Sequence, residues 1–469
     1  MGSIGGSMII PWKKQALDHP ERIWIRTQDH QITYGDLANR ILLYTNHLQE
    51  NIKKGSRVGI WKQDIVTTIG LFFAILECDC TAVIFSDRDP LEKIDRQSQY
   101  ILLDHMIKDH VSIDLNDRIS LIDHLDEDQN AKEKKIIIFT SGSTKHPKAV
   151  LHSLETLIQN AEASYKNITF EHGHTWLLSL SLWHVGGLAI VIRSMLYGAC
   201  IAIGSIEDIR SLGVTHVSFV ALQLRRFMDL CHHKEELKTS LLCCLVGGGP
   251  THQNQIQQAV QMGIPIHTTY GMTELGSQMF TTPPDSNLKI LRSSGYILHG
   301  WKVRCSEYSE IQVKGPALFL GYVHGRHLDP CRDQDGFFAT GDCGYIKDDL
   351  LFISGRRDLM FISGGENIYP QIIEEKILDM TGIICCIVVD VPSLKYGSRP
   401  IAILYKDAKF DICDSSIEKN LLFHLPKFAI PDHFIPWPTE YPLLEQSKPS
   451  RSFLRQYAQT YLQTRLSTT

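Results

Sequence analysis

The stretch FTSGSTKHPKAVLH, residues 139–152, follows the apolar run KKIIIF and predicts a strand that leads into a loop of small hydroxyl residues. Backbone amides and hydroxyl groups in such a loop can all turn toward one anion, and Lys148 adds a positive charge. The consecutive small residues are Thr140, Ser141, Gly142, Ser143 and Thr144. The loop departs from the Walker pattern GxxxxGK[ST], because it has a single glycine and no Lys-Ser/Thr pair at its end. It therefore predicts a phosphate loop of another kind, and a solvated turn with incidental lysines is the alternative.

Composition restricts the classes of protein that the chain can represent. Its 469 residues are too many for one ordinary core and favour two or three units. Contents of 43% hydrophobic and 21% charged residues are ordinary for a globular enzyme. A net charge of −5 gives no general attraction to nucleic acid or anionic membranes, so a small molecule is the expected partner. The most apolar segment, residues 65–85, contains Glu77 and Asp79 and is not expected to span a membrane.

The cysteines and the N-terminal residues indicate the cellular compartment and the oxidation state of the thiols. Twelve cysteines are present, with adjacent pairs at Cys243–Cys244 and Cys385–Cys386 inside apolar runs, and no signal peptide is recognisable. This pattern favours buried, reduced thiols in a cytoplasmic protein over a disulfide framework. The opening MGSIGGS resembles the remnant of an expression tag, so Met8 is the expected native start. Whether the protein is a monomer or a homo-oligomer stays open.

Alternating patterns along the chain predict an α/β fold. Short β-branched runs such as SRVGIW, CTAVIF, CIAIGS and THVSFV alternate with helix-period segments such as TTIGLFFAILE and ALQLRRFMDL. This alternation is typical of layered α/β structure with largely parallel strands. We predict a large N-terminal domain over residues 8–357, whose end, residues 306–357, forms a small antiparallel β piece. The glycine-rich, charged run GRRDLMFISGGENIYP marks the boundary to a smaller, mobile α+β domain, residues 358–469.

Further motifs combine residue types that suit a nucleotide. YGMTELGSQ, residues 270–278, joins an aromatic ring, a glycine turn, a hydroxyl and a carboxylate. TGD, residues 340–342, ends a strand with an acid that can chelate a ribose diol. GRRD, residues 355–358, places an arginine and an acid at the boundary, and Lys448 lies in the tail sequence LLEQSKPSR.

These motifs, in this order, resemble those of the adenylate-forming superfamily of acyl-CoA synthetases, adenylation domains and luciferases, over residues 139–451. The resemblance implies that a carboxylate attacks the α-phosphorus of ATP, releases pyrophosphate and then passes as an acyl group to a thiol. A carboxylate is already nucleophilic at pH 7, so no Ser/His/Asp triad is needed, and the protein's task is to place charge around the phosphates. ATP, Mg²⁺ and coenzyme A are the implied cofactor and co-substrates.

The resemblance also assigns roles to individual residues. Residues 140–144 and Lys148 would cover the β- and γ-phosphates, and Thr273 would contact the α-phosphate while Glu274 holds Mg²⁺. Asp342 and Arg356 would hold the ribose, and Lys448 would reach the reacting carboxylate during adenylation. Asp358 would be the hinge of the C-terminal domain, whose rotation brings Gly364 and Gly365 into the thiolation site. The adenine would contact Tyr270 and the turn of Gly247, Gly248 and Gly249, and Gly271 and Met272 would also bind the nucleotide.

The acyl pocket is assigned to His184, Arg193 and Ser277. His184 in SLWHVGG resembles the histidine that lines this pocket and gates the thiol channel, and Arg193 lies on the apolar segment that follows. A buried arginine without a local acid suits a ligand carboxylate, although a partner from elsewhere in the fold is the alternative. The motifs and the compact length are most similar to the o-succinylbenzoate–CoA ligases of menaquinone biosynthesis, whose substrate is a dicarboxylate.

Two positions depart from the superfamily pattern. Lys145 and Ser447 stand where glycine is usual, at a conformational cost of roughly 1 kcal/mol, but no charge that the chemistry needs is lost. Three alternatives stay open: a CoA ligase for another aryl or medium-chain acid, an adenylation enzyme that loads a carrier protein, and a nucleotide-binding member without catalysis. The retained Thr273, Glu274 and Lys448 argue against the last of these.

Overall fold

The computed structural model describes residues 10–108, 130–140, 148–249, 253–441 and 450–466. The chain forms two compact units. The first contains residues 1–248, 259–302 and 314–338, and the second contains residues 249–258, 303–313 and 339–469. The predicted β-rich end, residues 306–357, is therefore shared between the units. The hinge at residue 358 stays a prediction.

The helices follow the predicted helix-period segments. TTIGLFFAILE and ALQLRRFMDL lie in α3 (Ile65–Glu77) and α7 (Ala221–His233). The helices are α1 (Pro11–Asp18), α2 (Tyr34–Asn51), α3 (Ile65–Glu77), α4 (Leu91–Tyr100), α5 (Leu154–Tyr165), α6 (Val185–Tyr197), α7 (Ala221–His233), α8 (Gln253–Gln261), α9 (Leu288–Leu291), α10 (Pro370–Leu378), α11 (Asp414–His424) and α12 (Arg451–Leu466).

The strands are equally close to the predicted β-branched runs. They are β1 (Ile23–Arg26), β2 (Gln31–Thr33), β3 (Arg57–Ile60), β4 (Thr81–Ile84), β5 (His105–Ile107), β6 (Lys135–Thr140), β7 (Lys148–Ser153), β8 (Thr175–Leu177), β9 (Cys200–Ala202), β10 (His216–Phe219), β11 (Cys243–Val246), β12 (Ile266–Tyr270), β13 (Phe280–Thr281), β14 (Tyr296–Ile297), β15 (Lys302–Cys305), β16 (Glu310–Lys314), β17 (Gly321–His324), β18 (His327–Asp329), β19 (Phe338–Lys347), β20 (Leu350–Arg356), β21 (Phe361–Ser363), β22 (Glu366–Ile368), β23 (Ile383–Ser393), β24 (Gly397–Lys406) and β25 (His433–Pro436).

One sheet of the first unit has the order β14-β13-β12-β11-β10-β8-β9-β1-β2. Its central strands, β8 to β12, pair in parallel, and the short strands at both ends pair antiparallel. Parallel strands need helical crossovers, which α6 and α7 provide in chain order. The carboxyl ends of β10, β11 and β12 therefore lie at one edge, where the loops that follow them can meet.

The other sheet of the first unit has the order β18-β17-β7-β6-β4-β3-β5. Strands β3 to β6 are parallel, whereas β7 runs antiparallel to β6 and to β17. The run LFLGYV was expected in the appended antiparallel piece. Its strand β17 instead pairs with β7 in this sheet, where it supplies hydrogen-bond partners to an otherwise free edge. The largely parallel arrangement predicted for the α/β layers is confirmed for the sheet that contains β8 to β12. The second sheet has three parallel and three antiparallel pairings among the described strands.

Buried aromatic side chains join helix and sheet in the first unit. Trp24 stacks on Tyr34 with ring centroids 4.7 Å apart, and both side chains are fully buried. The indole N–H of Trp24 donates to Ser194 Oγ at 2.8 Å, so its polar atom has a partner inside the core. Since Ser194 lies on α6, this contact fixes that helix on the sheet.

The second unit contains the strand order β15-β16-β19-β20 and a further sheet of β22-β21-β24-β23 with β25 beside β24. Helices α10, α11 and α12 accompany it, so the predicted α+β character of the C-terminal part is confirmed. At the start of α12, Arg451 forms a two-pronged ion pair with Glu374 of α10, with N···O distances of 2.7 and 2.8 Å. This pair anchors the helix that follows the Lys448 segment.

The structure bears on two expectations from the sequence, namely that residues 65–85 do not span a membrane and that the paired cysteines are buried. Among the described helices, none is long and apolar enough to cross a membrane. Cys243, Cys244 and Cys386 are buried thiols, and Cys385 is half-buried.

Candidate active site

The nucleotide motifs of the first unit lie at the carboxyl ends of β11 and β12. Gly247 follows β11 directly, and a Cβ atom there would lie 2.6 Å from Thr269 Cγ2, so the close approach of the two strands requires glycine. Gly248 adopts a positive φ of 77° in the same turn. Tyr270 ends β12, is half-buried and contacts Phe280 edge-on at 6.4 Å. Gly249 belongs to the second unit.

Residues 271–279 form a tight loop between the antiparallel strands β12 and β13. A Cβ atom on Gly271 would lie 1.5 Å from the carbonyl oxygen of Ser277, so only glycine fits there. Thr273–Leu275 forms one turn of 3₁₀ helix, and Gly276 ends it with a φ of 71°. The loop thus folds back on itself, with Gly271 against the main chain of Ser277.

The two ends of the predicted phosphate loop are adjacent. Thr140 at the end of β6 pairs in register with Lys148 at the start of β7. Ser141, Gly142, Ser143 and Thr144, together with Lys145, lie outside the described residues. The Lys148 ammonium group is exposed and lies 5.4 Å from the ring centroid of Tyr322. This distance suits a cation–π contact.

Tyr322 connects Lys148 to the predicted metal ligand. Its phenolic O–H donates to Glu274 Oε1 at 2.6 Å, and Glu274 is 4% exposed. The backbone carbonyl of Glu274 accepts from the Phe319 amide at 2.8 Å, which fixes the residue from the main-chain side. Lys148, Tyr322 and Glu274 therefore form one continuous group inside the first unit.

This group fits Mg²⁺ and the phosphates of a nucleotide. Mg²⁺ commonly takes one or two carboxylates and completes its shell with water and substrate phosphates. Within the described part of the chain, no cluster of three His, Cys, Asp or Glu side chains could hold a metal. A single oriented carboxylate, Glu274, beside an exposed ammonium group is the arrangement expected when the nucleotide supplies the remaining oxygens.

Helix α5 holds the loop through three polar side chains spaced four residues apart. The amide of Asn160 donates to the carbonyls of Leu275 at 2.9 Å and Gln278 at 2.6 Å. Ser164 Oγ donates to Gln278 Oε1 at 2.7 Å. Thr156 Oγ1 lies 2.8 Å from His152 Nδ1, and His152 Nε2 lies 2.7 Å from the Thr273 carbonyl. One face of α5 thereby reaches the main chain of residues 273–278 at both ends.

His152 is neutral at physiological pH. Complete burial lowers the pKa of its imidazole to about 4, although the hydrogen bond to the Thr273 carbonyl opposes that shift. A carbonyl oxygen only accepts, so the proton resides on Nε2 and Nδ1 accepts from the Thr156 hydroxyl. The ring is therefore a fixed link between β7 and Thr273 and not an acid or a base.

Helix α6 places the two predicted acyl-pocket residues at different depths. His184 stands at its N-terminus and is exposed. Gly187 allows the helix to begin close to the preceding loop. A Cβ atom at this position would lie 2.3 Å from the Ser181 carbonyl oxygen, so a larger residue would clash there. Arg193, in the middle of the helix, is 3% exposed, and its Nη2 donates to Gln278 Oε1 at 2.6 Å.

Arg193 remains charged despite its burial. Burial lowers the pKa of its guanidinium to about 10, and nearby Cys243 and Tyr197 act in the opposite direction. Its guanidinium carbon lies 5.3 Å from the ring centroid of Trp176. Across the described residues, Arg193 has no ion pair with a carboxylate, and its buried Nε has no hydrogen-bond partner. The partner from elsewhere in the fold is thus an uncharged amide.

The second unit brings Asp342, Arg356 and Asp358 together. Asp342 and Arg356 pair in register on β19 and β20, and their side chains lie 3.4 Å apart. Arg356 Nε also contacts Asp358 Oδ1 at 3.1 Å. A guanidinium between two acids keeps both carboxylates oriented while leaving acceptor oxygens for hydroxyl donors.

The second unit also contains the two glycines that the sequence assigns to the thiolation site. Gly364 and Gly365, with φ of 60° and 89°, form the two-residue turn between β21 and β22, a geometry that suits glycine. Lys448 and Ser447 lie outside the described residues. The roles of Asp358 as a hinge and of the Gly364–Gly365 turn in thiolation stay predictions.

Sequence reasoning missed the residues that support the loop. His152, Asn160, Tyr322 and Gln278 each contact a motif residue or another predicted site residue. His152 and Gln278 end two of the quoted motifs but received no role there, and Asn160 and Tyr322 lie outside the motifs. One signal was available: in LETLIQNAEASY, polar residues recur every four positions beside apolar ones. On a helix this spacing places Thr156, Asn160 and Ser164 on one face, which implies buried polar contacts.

The buried imidazole predicts a specific pH dependence of stability. The unfolded chain binds a proton near His152's ordinary pKa of 6.5, while the folded protein does so only near pH 4. Stability should therefore fall as the pH drops from 6.5 to 4, and His152→Gln should weaken this slope, since the glutamine amide can donate to Thr273 but cannot titrate. Urea unfolding at several pH values measures both slopes. Equal slopes would mean that His152 titrates normally.

Comparison with known proteins places the chain among characterised relatives. It is 29% identical to the 2-succinylbenzoate–CoA ligase of Bacillus pumilus over 460 aligned residues, which cover 88% of this chain and 91% of the relative. The o-succinylbenzoate coenzyme A synthetase of Bacillus subtilis, solved in complex with ATP and magnesium ion, matches with a TM-score of 0.81 and 24% identity, over 95% and 99% of the two chains. ATP-bound MatB from Rhodopseudomonas palustris matches with a TM-score of 0.84 and 22% identity, over 96% and 99%.

The two structural likenesses show the shared fold and do not distinguish between acid substrates. The family described as AMP-binding enzyme matches residues 12–323, which include the sheet from β14 to β2, the other sheet up to β17, and the Lys148, Tyr322 and Glu274 group. On this match the chain belongs to the AMP-binding enzyme family.

Proposed function

We propose that this chain is an ATP- and Mg²⁺-dependent acid–thiol ligase that adenylates o-succinylbenzoate and transfers the acyl group to coenzyme A, a step of menaquinone biosynthesis. Coenzyme A as the acceptor and a cytoplasmic location are part of the proposal. The observation that carries the reaction type is the continuous group formed by Lys148, Tyr322 and Glu274. It offers an exposed positive charge and an oriented carboxylate next to the ends of the phosphate loop.

The chain's own residues account for the adenylation chemistry through charge placement. Lys148 would attract the phosphates, and Glu274 would hold Mg²⁺, which when bound offsets the charge of the leaving pyrophosphate. Thr273 would present its hydroxyl to the α-phosphate, because His152 holds its carbonyl and Asn160 holds the carbonyl of Leu275 two residues later. The oriented groups cost no reorganisation during the reaction, and that is where their catalytic benefit arises.

The ribose and the second half-reaction are assigned to the second unit. The Asp342 carboxylate, oriented by Arg356, would accept the ribose hydroxyl groups. Lys448 would bridge the reacting carboxylate and the α-phosphate, after which rotation at Asp358 would bring the Gly364–Gly365 turn to the thiol site. These three roles rest on the motif order in the sequence.

A dicarboxylic acid is favoured by Arg193. A buried guanidinium without an acidic partner among the described residues has an uncompensated charge, and a carboxylate of the substrate can neutralise it. The 2-succinylbenzoate–CoA ligase of Bacillus pumilus, which is named for such an acid, supports the same choice. A CoA ligase for another aryl or medium-chain acid, or an enzyme that loads a carrier protein, is the alternative.

Pyrophosphate release over a panel of acids, with and without coenzyme A, tests the proposed reaction. We expect turnover with o-succinylbenzoate and coenzyme A, formation of the acyl-CoA by mass spectrometry, and a loss of at least about a hundredfold in Lys448→Ala, because a charge at the transferring phosphorus is removed. Turnover confined to simple fatty acids or other monocarboxylic acids would rule out the proposed substrate. Turnover only with a carrier protein's phosphopantetheine arm would rule out the proposed acceptor.

Substitution of Tyr322 tests the Mg²⁺ role of Glu274. Tyr322→Phe removes the phenolic donor that orients the carboxylate, so we expect a rise of about three- to tenfold in the Mg²⁺ concentration for half-maximal pyrophosphate release, which corresponds to one lost hydrogen bond to a charged group. Tyr165→Phe is the matched control, since that hydroxyl contacts Glu171 at 2.8 Å outside the site. An unchanged Mg²⁺ dependence in Tyr322→Phe would separate Glu274 from the metal.

A further inference from the structure

The side-chain amide of Gln278 has every hydrogen-bonding position occupied. Its Oε1 accepts from Arg193 Nη2 at 2.6 Å and from Ser164 Oγ at 2.7 Å. Its Nε2 lies 3.2 Å from Thr269 Oγ1 and 3.0 Å from Thr281 Oγ1. An amide has two acceptor and two donor positions, so the buried group, 2% exposed, is fully satisfied. The reverse orientation would direct amide hydrogens at the guanidinium, and the network therefore fixes Oε1 toward Arg193.

This arrangement orients Arg193 without neutralising it. The acceptor is uncharged, and the guanidinium's Nε has no partner among the described residues although it is buried. A carboxylate in the position of Gln278 would form a charge-assisted pair at the same short distance and satisfy the positive charge internally. The neutral amide leaves that charge for a ligand, and in a poorly solvated site a second charge is felt strongly.

The contacts also separate Gln278 from the reacting phosphates. Its four partners are Arg193 on α6, Ser164 on α5 and the two threonines Thr269 and Thr281 on β12 and β13. None of these side chains belongs to the group formed by Lys148, Tyr322 and Glu274. A change at Gln278 should therefore act on recognition of the acid more than on adenylyl transfer.

We propose that Gln278 is a positioning residue for substrate selection: it holds the Arg193 guanidinium in place, still charged, for the second carboxylate of a dicarboxylic acid. The inference rests on the proposed function, because it takes the substrate to be a dicarboxylate. It assigns selectivity to a residue in the loop that also carries Thr273 and Glu274, so the acyl pocket and the nucleotide site share one structural element.

The test compares Gln278→Glu with wild type on three acids. These are o-succinylbenzoate and the two analogues that each lack one carboxyl group, 3-benzoylpropionate and 2-butanoylbenzoate. Because the new carboxylate would pair with Arg193, we expect KM for o-succinylbenzoate to rise at least about tenfold. KM for whichever analogue is turned over should change less than about twofold, since that acid makes no contact with the guanidinium. Arg193→Met should reproduce this pattern.

Two further variants control for folding and for charge. Gln97→Glu places the same substitution at another buried glutamine, on α4, and should leave the ratio of the KM values unchanged. Gln278→Met removes the acceptor without adding charge and should raise KM for o-succinylbenzoate less than Gln278→Glu does. Gln278→Met also serves if Gln278→Glu fails to fold.

The outcomes distinguish the inference from the proposed function. If wild type turns over o-succinylbenzoate with a lower KM than any analogue it uses, but the Gln278 variants change KM equally for all the acids that are turned over or change only kcat, then the inference is wrong and the proposed function stands. If wild type does not use o-succinylbenzoate and prefers the analogues, the proposed substrate is wrong, and the inference with it.

Discussion

Burial of polar groups on one face of α5 is the constraint on which the candidate site depends. Thr156, Asn160 and Ser164 are each at most 5% exposed, so each must find a hydrogen-bond partner inside the protein. Their partners are His152 and the carbonyls and side chains of the loop after β12. A buried polar group without a partner costs about 1–3 kcal/mol, so the loop conformation and the helix face stabilise each other.

Several separate parts of the first unit are joined by this arrangement. Strand β7 begins with Lys148 at the phosphate loop. Four residues later, the same strand contains His152, which contacts the Thr273 carbonyl. The neighbouring strand β17 contributes Tyr322 to Glu274. Helix α6 supplies Arg193 to Gln278. The loop of residues 271–279 is thus fixed from two sheets and two helices, as expected where charged groups must be held in place before a substrate binds.

The sequence predicted the elements well but not the supports of the site. Runs such as KKIIIFT and THVSFV are β-branched and bounded by turn residues, and local periodicity is sufficient to identify them as strands. The contacts of Asn160 with Leu275 and Gln278 join residues 115 and 118 positions apart, and no local pattern encodes such a pairing. The motif residues were recognisable because nucleotide chemistry restricts their types. The pairing of Arg193 with an amide was not, since an uncharged partner leaves no charge pattern to detect.

Amide hydrogen exchange of residues 271–279 in wild type and in Asn160→Leu is the most direct test of this account. The substitution removes both donors to the loop carbonyls and keeps a similar volume, and Asn51→Leu on the exposed end of α2 is the control. We expect the hydrogen-bonded amides of Leu275, Gly276 and Met279 to exchange at least about tenfold faster in Asn160→Leu, while those of β3 and β4 keep their wild-type rates. Unchanged exchange in the loop would contradict the claim that α5 holds it.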